Sequence, residues 1–328
     1  MTRSLSSRYR TLSPTRRLLA QLLPILLLSS YLLLTSPVLA DFAAFSYAPP
    51  RFYPPPGGVR KWLREEDERY ALFLEDRAAF VRKEGPDAAS VEAFPTHSQQ
   101  YTLWDFFLPA FRCPHSTERI GRLGDGGKWV CGMELIERQT TCVVYSVGIN
   151  GESSFEADLL ERAPGCEVWG YDFSVTRFGP EIENSPHLKR RAHFFPWGLG
   201  GEDKHGENNR PKMYTLDTLM ALNGHTFIDV LKVDIEGAEF AALSVLIAAL
   251  PPGRALPFGQ LQLEVHAWNA HARFDTFLRW WETLERAGLR PFWTEPNLVY
   301  VNVLGRKPDL AEYSFMNIRG DHPIVRDY

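Results

Sequence analysis

The stretch VVYSVGINGESSFEADLL, Val143 to Leu160, decides how this chain is read. An apolar, β-branched run stops at Gly148. Gly148 and Gly151 then bracket Ile149-Asn150, and apolar residues recur at helical spacing from Ser153 onward. Strand, glycine turn and helix in that order form the opening unit of a nucleotide-binding α/β fold, where glycine lets a ligand approach backbone that a Cβ would shield. Ser153 or Ser154 is placed to cap the helix. A dinucleotide fingerprint starting at Gly148 needs glycines where the chain has Asn150 and Ser153. A pyrophosphate on this helix N-terminus, and with it a dinucleotide oxidoreductase, is disfavoured.

Six further apolar runs read as strands: Cys166–Asp172, Ala192–Trp197, Ile228–Asp234, Leu261–His266, Arg290–Glu295 and Ala311–Ile318. Amphipathic segments separate them at 153–162, 216–222, 238–249 and 273–287, the last two closed by Pro251-Pro252-Gly253 and by Gly288. Seven strands alternating with helices predict an α/β, doubly wound, mainly parallel sheet.

The candidate chemistry collects at strand ends. Asp172 follows Gly151 at the distance where such folds place the acid that accepts hydrogen bonds from a ribose. LKVDIEGAEF, Leu231 to Phe240, carries Asp234 to the carboxyl edge of a buried strand, with Glu236 and Glu239 around Gly237. Acids crowded at one strand end call for a cation nearby: a sulfonium, an amine, a metal ion or Lys232. Alternatively, Asp234 and Glu236 cap the following helix. One strand later, LQLEVH places Glu264 and His266 on one face by alternation. Histidine is the natural proton acceptor near neutral pH, and a carboxylate beside it can orient it or share a metal. A hairpin turning on Gly124-Asp125-Gly126-Gly127 can bring Asp125 or Lys128 over the pocket, and Glu295 and Asn297 of WTEPN can touch an acceptor or form a turn.

The chain divides into four parts. Residues 1–40 hold five arginines, no acid and the apolar run Leu18–Ala40, the pattern of an uncleaved signal anchor, a cleaved signal peptide ending at Val38-Leu39-Ala40, or an organelle transit peptide. The first two put the body in the secretory pathway: as an anchor, a Golgi or ER single-pass type II membrane protein with a lumenal domain; if cleaved, a secreted one. Residues 41–58 read as a proline-rich stalk, 59–114 as a helical extension and 115–328 as the main domain. A formal charge of -4 argues against a nucleic-acid binder. The four cysteines then face an oxidising compartment; they allow three pairings or none, and their spacing does not suit structural zinc.

Taken together, YSVGINGESSFE, VWGYDFS, LKVDIEGAEF, LQLEVH, EPN and the earlier DGGKWVC resemble the FkbM-like S-adenosylmethionine-dependent methyltransferases. Within them, the chain is most similar to secretory-pathway methyltransferase-like proteins with a single anchor. The resemblance implies a class I methyltransferase fold whose last strand runs antiparallel, binding S-adenosyl-L-methionine at the strands' carboxyl ends. Gly148, Asn150, Gly151, Glu152, Asp172 and Asp234 would contact that cofactor, with Asp172 on the ribose. Many such enzymes carry an acid where this chain has Ser146, and Glu152 or Asp234 would then take the amino group. For a hydroxyl acceptor, small molecule or glycan, His266 is the first candidate base, with Asp234 and Glu236 behind it. A divalent metal on Asp234, Glu236 and Glu264 is a further expectation. Rival readings are a lumenal metal-dependent glycosyltransferase and a noncatalytic binding module that keeps the fold.

Overall fold

The structure is a computed structural model that describes residues 58–327. The expected targeting segment at 1–40, and all of the stalk except Gly58, lie outside the described residues.

Seven strands form one sheet in the order β10-β11-β9-β8-β3-β4-β5: β3 (Cys142–Val147), β4 (Cys166–Tyr171), β5 (Ala192–Phe195), β8 (Ile228–Val233), β9 (Phe258–His266), β10 (Leu289–Pro296) and β11 (Leu310–Asn317). The pairs β3–β4, β4–β5, β3–β8 and β8–β9 are parallel, and β11 runs antiparallel to both neighbours. All seven strands lie where the apolar runs predict them, and the antiparallel one is the last. From β3 the chain steps outward to β4 and β5, then returns to β8 on the other side. Between β3 and β8 the direction of winding reverses, and at that switch point the carboxyl ends open a crevice.

Burial on both faces explains the near-continuous apolar runs. Alternation sends Val144 and Val230 into one core layer, under α3 (Ser154–Arg162), and Tyr145 and Leu231 into the opposite layer with α6 (Leu216–Asn223), α7 (Glu239–Ala249) and α8 (Phe274–Arg286). Each such side chain, fully buried, contributes about 1.5–3 kcal/mol. The intervening one-turn helices are α2 (Met133–Ile136), α4 (Pro180–Glu183) and α5 (Pro186–Lys189), and α9 (Leu298–Asn302) follows β10. A two-residue pair, β6 (Gly198–Leu199) with β7 (Met213–Tyr214), closes the loop after β5.

The first described helix, α1 (Val59–Glu84), packs on this domain as its apolar spacing predicts, but a buried charge fixes it there. Arg77 grips Glu285 of α8 through both carboxylate oxygens at 2.8 and 2.7 Å, while Tyr70 and Trp281 donate to the same carboxylate at 2.6 and 2.9 Å. The hairpin of β1 (Thr117–Ile120) and β2 (Lys128–Cys131) forms as expected, and the Gln260 side chain exchanges two 2.9 Å bonds with the Cys131 backbone, laying β2 across β9. All four cysteines are bridged, Cys113 to Cys131 and Cys142 to Cys166, so the alternative of buried free thiols does not hold. The second bridge joins cross-strand partners of β3 and β4. Among the described residues no helix is long and apolar enough to cross a membrane.

Candidate active site

The turn after β3 is built on left-handed backbone, with φ of 86° at Gly148, 44° at Asn150 and 74° at Gly151. A Cβ on Gly148 would sit 1.8 Å from the Asp234 carbonyl oxygen. Glycine is therefore required here by the approach of the β8 end, a reason prior to any ligand. Asp172, at the end of β4, organises the turn: one carboxylate oxygen accepts from the backbone N–H groups of Ile149 and Asn150, both at 2.8 Å. The other accepts from the Ser174 N–H at 2.7 Å and its hydroxyl at 2.6 Å. These four bonds occupy the acceptor sites a carboxylate offers. A ribose hydroxyl reaches Asp172 only by displacing Ser174. Burial raises the Asp172 pKa, but the Ser174 hydroxyl and the three backbone donors outweigh it, so the carboxyl stays below its usual range.

Ser146 is explained by a helix residue. Its hydroxyl donates to Glu156 of α3, and the same carboxylate lies 3.3 Å from the Lys232 ammonium, which donates to the Gly148 carbonyl at 2.9 Å. The acid absent from β3 is thus supplied from α3, where it neutralises a buried lysine that braces the glycine turn. Neither serine caps α3. Glu152 accepts from Ser154 N–H at 2.9 Å, Glu181 accepts from Ser153 N–H at 3.1 Å, and the Ser153 hydroxyl accepts from Gly179 N–H instead.

A second cluster lies at the ends of β8, β9 and β11. Asp234 is 3.9 Å from Lys128, and Lys128 also pairs with Glu312, whose β-sheet partner is Glu264. The His266 Nδ1 lies 3.1 Å from Glu239, which also accepts from the His266 backbone N–H at 2.9 Å. The His266 Nε2 lies 3.6 Å from Glu236 and 3.7 Å from Glu264. Burial raises the Asp234 pKa, but Lys128, the hydrogen bond from Glu264, Lys232 and His266 pull it below its ordinary value. Burial, then the charges of Asp234 and Glu312, push Glu264 up to about 10. Burial works against protonation of His266, yet the Glu239 hydrogen bond and the charges of Glu239, Asp234 and Glu236 raise its pKa.

Both groups meet in a cavity of about 820 Å³ at the switch point. One half is walled by Gly148, Asn150, Tyr171, Asp172, Phe173 and Met213; the other by Asp234, Glu236, Glu264, Trp268, Asn297 and Tyr300, with Asp125 at the rim. Gly151 opens on a separate shallow cleft, and Glu152 turns toward Arg122 and lines neither. His266 is not a wall residue either, because its imidazole is fully buried behind Glu236 and Glu264. A direct role as base toward a bound acceptor does not fit that position. Asn297 caps α9 and donates to Glu264 at 3.3 Å, whereas Glu295 is engaged by Arg119 and Trp129. Another cleft, of about 700 Å³, lies between α1 and α8 at the amino end of the sheet, and its Arg77 and Arg290 are already paired with Glu285 and Asp67.

The residues absent from the sequence reading are Glu156, Glu239 as a partner of His266, and Glu312. Of these, Glu312 was recoverable only with the pairing of β11 against β9 in hand, since alternation alone does not say which neighbour it faces.

Two curated relatives carry the description probable methyltransferase-like protein 24. The human protein is 24% identical over 241 residues, covering 70% of this chain and 56% of that one. The rat protein is 29% identical over 174 residues, covering 49% and 45%. The chain thus spans about half the length of the curated relatives it matches. Among solved structures, a fibrillarin pre-rRNA processing protein of Methanococcus jannaschii superposes with a TM-score of 0.31 at 14% identity, covering 54% of this chain and 67% of that chain. The fold rests on the strand order above and not on that superposition. Membership of the FkbM-like branch stays a resemblance. A model of the methyltransferase domain, Methyltransf_22, matches residues 67–307, and the chain belongs to that family.

Proposed function

We propose that this protein transfers a methyl group from S-adenosylmethionine to a hydroxyl oxygen of a small molecule or glycan. The observation that carries the reading is the placement of Asp234. It follows β8 directly beside the glycine turn, so one cavity joins the glycine-turn half to a half lined by acids. The residues fit the cofactor. The volume lies within the range of small-molecule sites. Tyr171, Phe173 and Met213 offer apolar surface beside the polar turn, and the acids of the second half suit a cationic centre.

S-adenosylmethionine, when bound, supplies the methyl group and a sulfur leaving group. The chain's residues supply alignment. Gly148 and Asn150 shape the floor, and Asp172 keeps that floor rigid by holding two of its N–H groups. Asp234, ionised and facing the cavity, orients the acceptor hydroxyl and accepts its proton as the new O–C bond forms. His266 stands behind, its ring held in place by Glu239 at Nδ1. Trp268, Tyr300 and Leu304 line the acceptor half. The glycosyltransferase alternative gives way to the family membership.

A secretory location remains part of the proposal. Two disulfides, which persist in oxidising compartments, and the arginine-then-apolar pattern of residues 1–40 support it. The test is incubation of the full chain with methyl-tritiated S-adenosylmethionine and a panel of alcohols, phenols and oligosaccharides. O-methyl products that disappear in Asp234→Asn are expected; with amines and amino sugars added to the panel, label found only on their nitrogens refutes the hydroxyl assignment.

A further inference from the structure

We infer that Asp234, Glu264 and His266 form a binding site for one divalent transition-metal cation, with its open side toward the acceptor half of the cavity. One ligand atom from each residue lies within 4.8 Å of the others. Donors sharing a cation at about 2.0–2.2 Å stand roughly 3–4.3 Å apart, so only a small inward turn of the side chains is needed. The His266 Nε2 and Glu264 already stand 3.7 Å apart.

The independent observation is the state of His266. Its residue exposure is 1%, and its Nε2 has no hydrogen-bond partner although it points into the acids. An orphaned buried nitrogen is costly unless something fills the gap. Its other nitrogen is held by Glu239, which itself is anchored by the N–H groups of His266 and Gly237 at 2.9 and 2.8 Å. A carboxylate behind a histidine is the arrangement that fixes the tautomer with the far nitrogen free for a metal. Charge points the same way. The carboxyl groups of Asp234, Glu236, Glu239, Glu264 and Glu312 gather around the side chains of Lys128 and His266, while the nearby Lys232 is held by Glu156. Lys128, at 3.9 Å from Asp234, tempers this charge without filling the gap beside Nε2.

The ligand set differs from the one the sequence suggests, since Glu236 is replaced by His266. The Glu236 side chain is 73% exposed on a left-handed backbone (φ 54°), outside the triad. One nitrogen and two carboxylates suit manganese, iron, cobalt or zinc better than magnesium. If the hydroxyl-methylation reading holds, the cation would meet the acceptor oxygen and lower its pKa; binding of the cation itself does not depend on that reading.

The test is calorimetry and electron paramagnetic resonance of the chelator-treated full chain titrated with manganese chloride, in parallel with S-adenosylmethionine binding in chelator. One manganese per chain is expected. Glu264→Gln and His266→Gln should weaken it at least 100-fold, and Glu239→Gln, acting by position, 10–100-fold. Glu236→Gln should change it less than 3-fold. Absence of manganese binding to the wild type, or equal binding by His266→Gln, overturns the inference, as does loss in Glu236→Gln. S-adenosylmethionine binding that persists in chelator while manganese fails to bind would sink the metal site alone; the converse would sink the methyl-transfer reading alone. Melting curves of each variant, and retained cofactor binding, separate loss of a ligand from loss of the fold.

Discussion

Replacing Asp172 by asparagine tests whether the glycine turn is held as described. The carboxylate accepts two loop N–H groups on one oxygen and the two Ser174 donors on the other. Asparagine keeps a single oxygen. Turned toward the loop, it presents its NH₂ to the Ser174 N–H and loses that bond, while the serine hydroxyl can rotate to accept. A hydrogen bond to a charged group is worth about 1.5–3 kcal/mol and a neutral one about 0.5–1.5. One lost bond plus two weakened loop bonds therefore costs about 3–5 kcal/mol. For a domain of this size that lowers Tm by roughly 10 °C. The assay is urea denaturation of wild type and variant at several pH values. The folded pKa of Asp172 is depressed, so its contribution is present above the unfolded value near 4 and is lost as pH falls through the folded one. The gap between the two proteins should stay constant from pH 8 to about 5 and close only in stronger acid. A difference below about 1 kcal/mol at pH 7 would refute the four-bond account.

Lys232→Met strands Glu156 as an unpaired buried charge and should cost about 3–5 kcal/mol, of which Lys232→Met with Glu156→Gln recovers more than half in a double-mutant cycle; additive losses would show that the pair is uncoupled. Glu285→Ala removes the anchor shared by Arg77, Tyr70 and Trp281, and faster limited proteolysis within α1 is expected; an unchanged cleavage rate would show that apolar contacts alone hold that helix. His322 is buried, and this burial outweighs its two backbone carbonyl partners to bring its pKa down to about 4. Between about pH 6.5 and 4 the unfolded chain binds the proton and the folded one does not, so stability should fall by up to about 3 kcal/mol on acidification across that window. His322→Phe should flatten the slope, as read by urea midpoints.

The sheet was legible because strands buried on both faces must be apolar throughout, and punctuating glycines and prolines mark their ends. The positions of Asp172, Asp234 and Glu264 followed from the rule that parallel sheets present ligands at carboxyl ends. What each acid does was not legible. Asp172 is occupied mostly by backbone donors that a sequence does not show, and Glu152 is taken up by the Ser154 N–H at the start of α3 and by Arg122, while the Ser153 hydroxyl accepts from Gly179. Ser146 read as a missing acid, yet Glu156, one helical segment later, fills the space, a compensation visible only once α3 is folded back on β3. His266 shares a face with Glu264 as alternation requires, but its burial depends on α7 delivering Glu239 behind it. The charged rivets Arg77–Glu285 and Lys128–Glu312 join residues more than 180 apart in sequence, beyond any local pattern.

The most direct measurement is calorimetry of the purified full chain against S-adenosylmethionine, its demethylated product, a nucleotide sugar with manganese, and a dinucleotide. One molecule of S-adenosylmethionine and one of its product should bind per chain, both weakened by Asp172→Asn, with no heat from the other two. Binding of the nucleotide sugar or dinucleotide in their place would contradict the account.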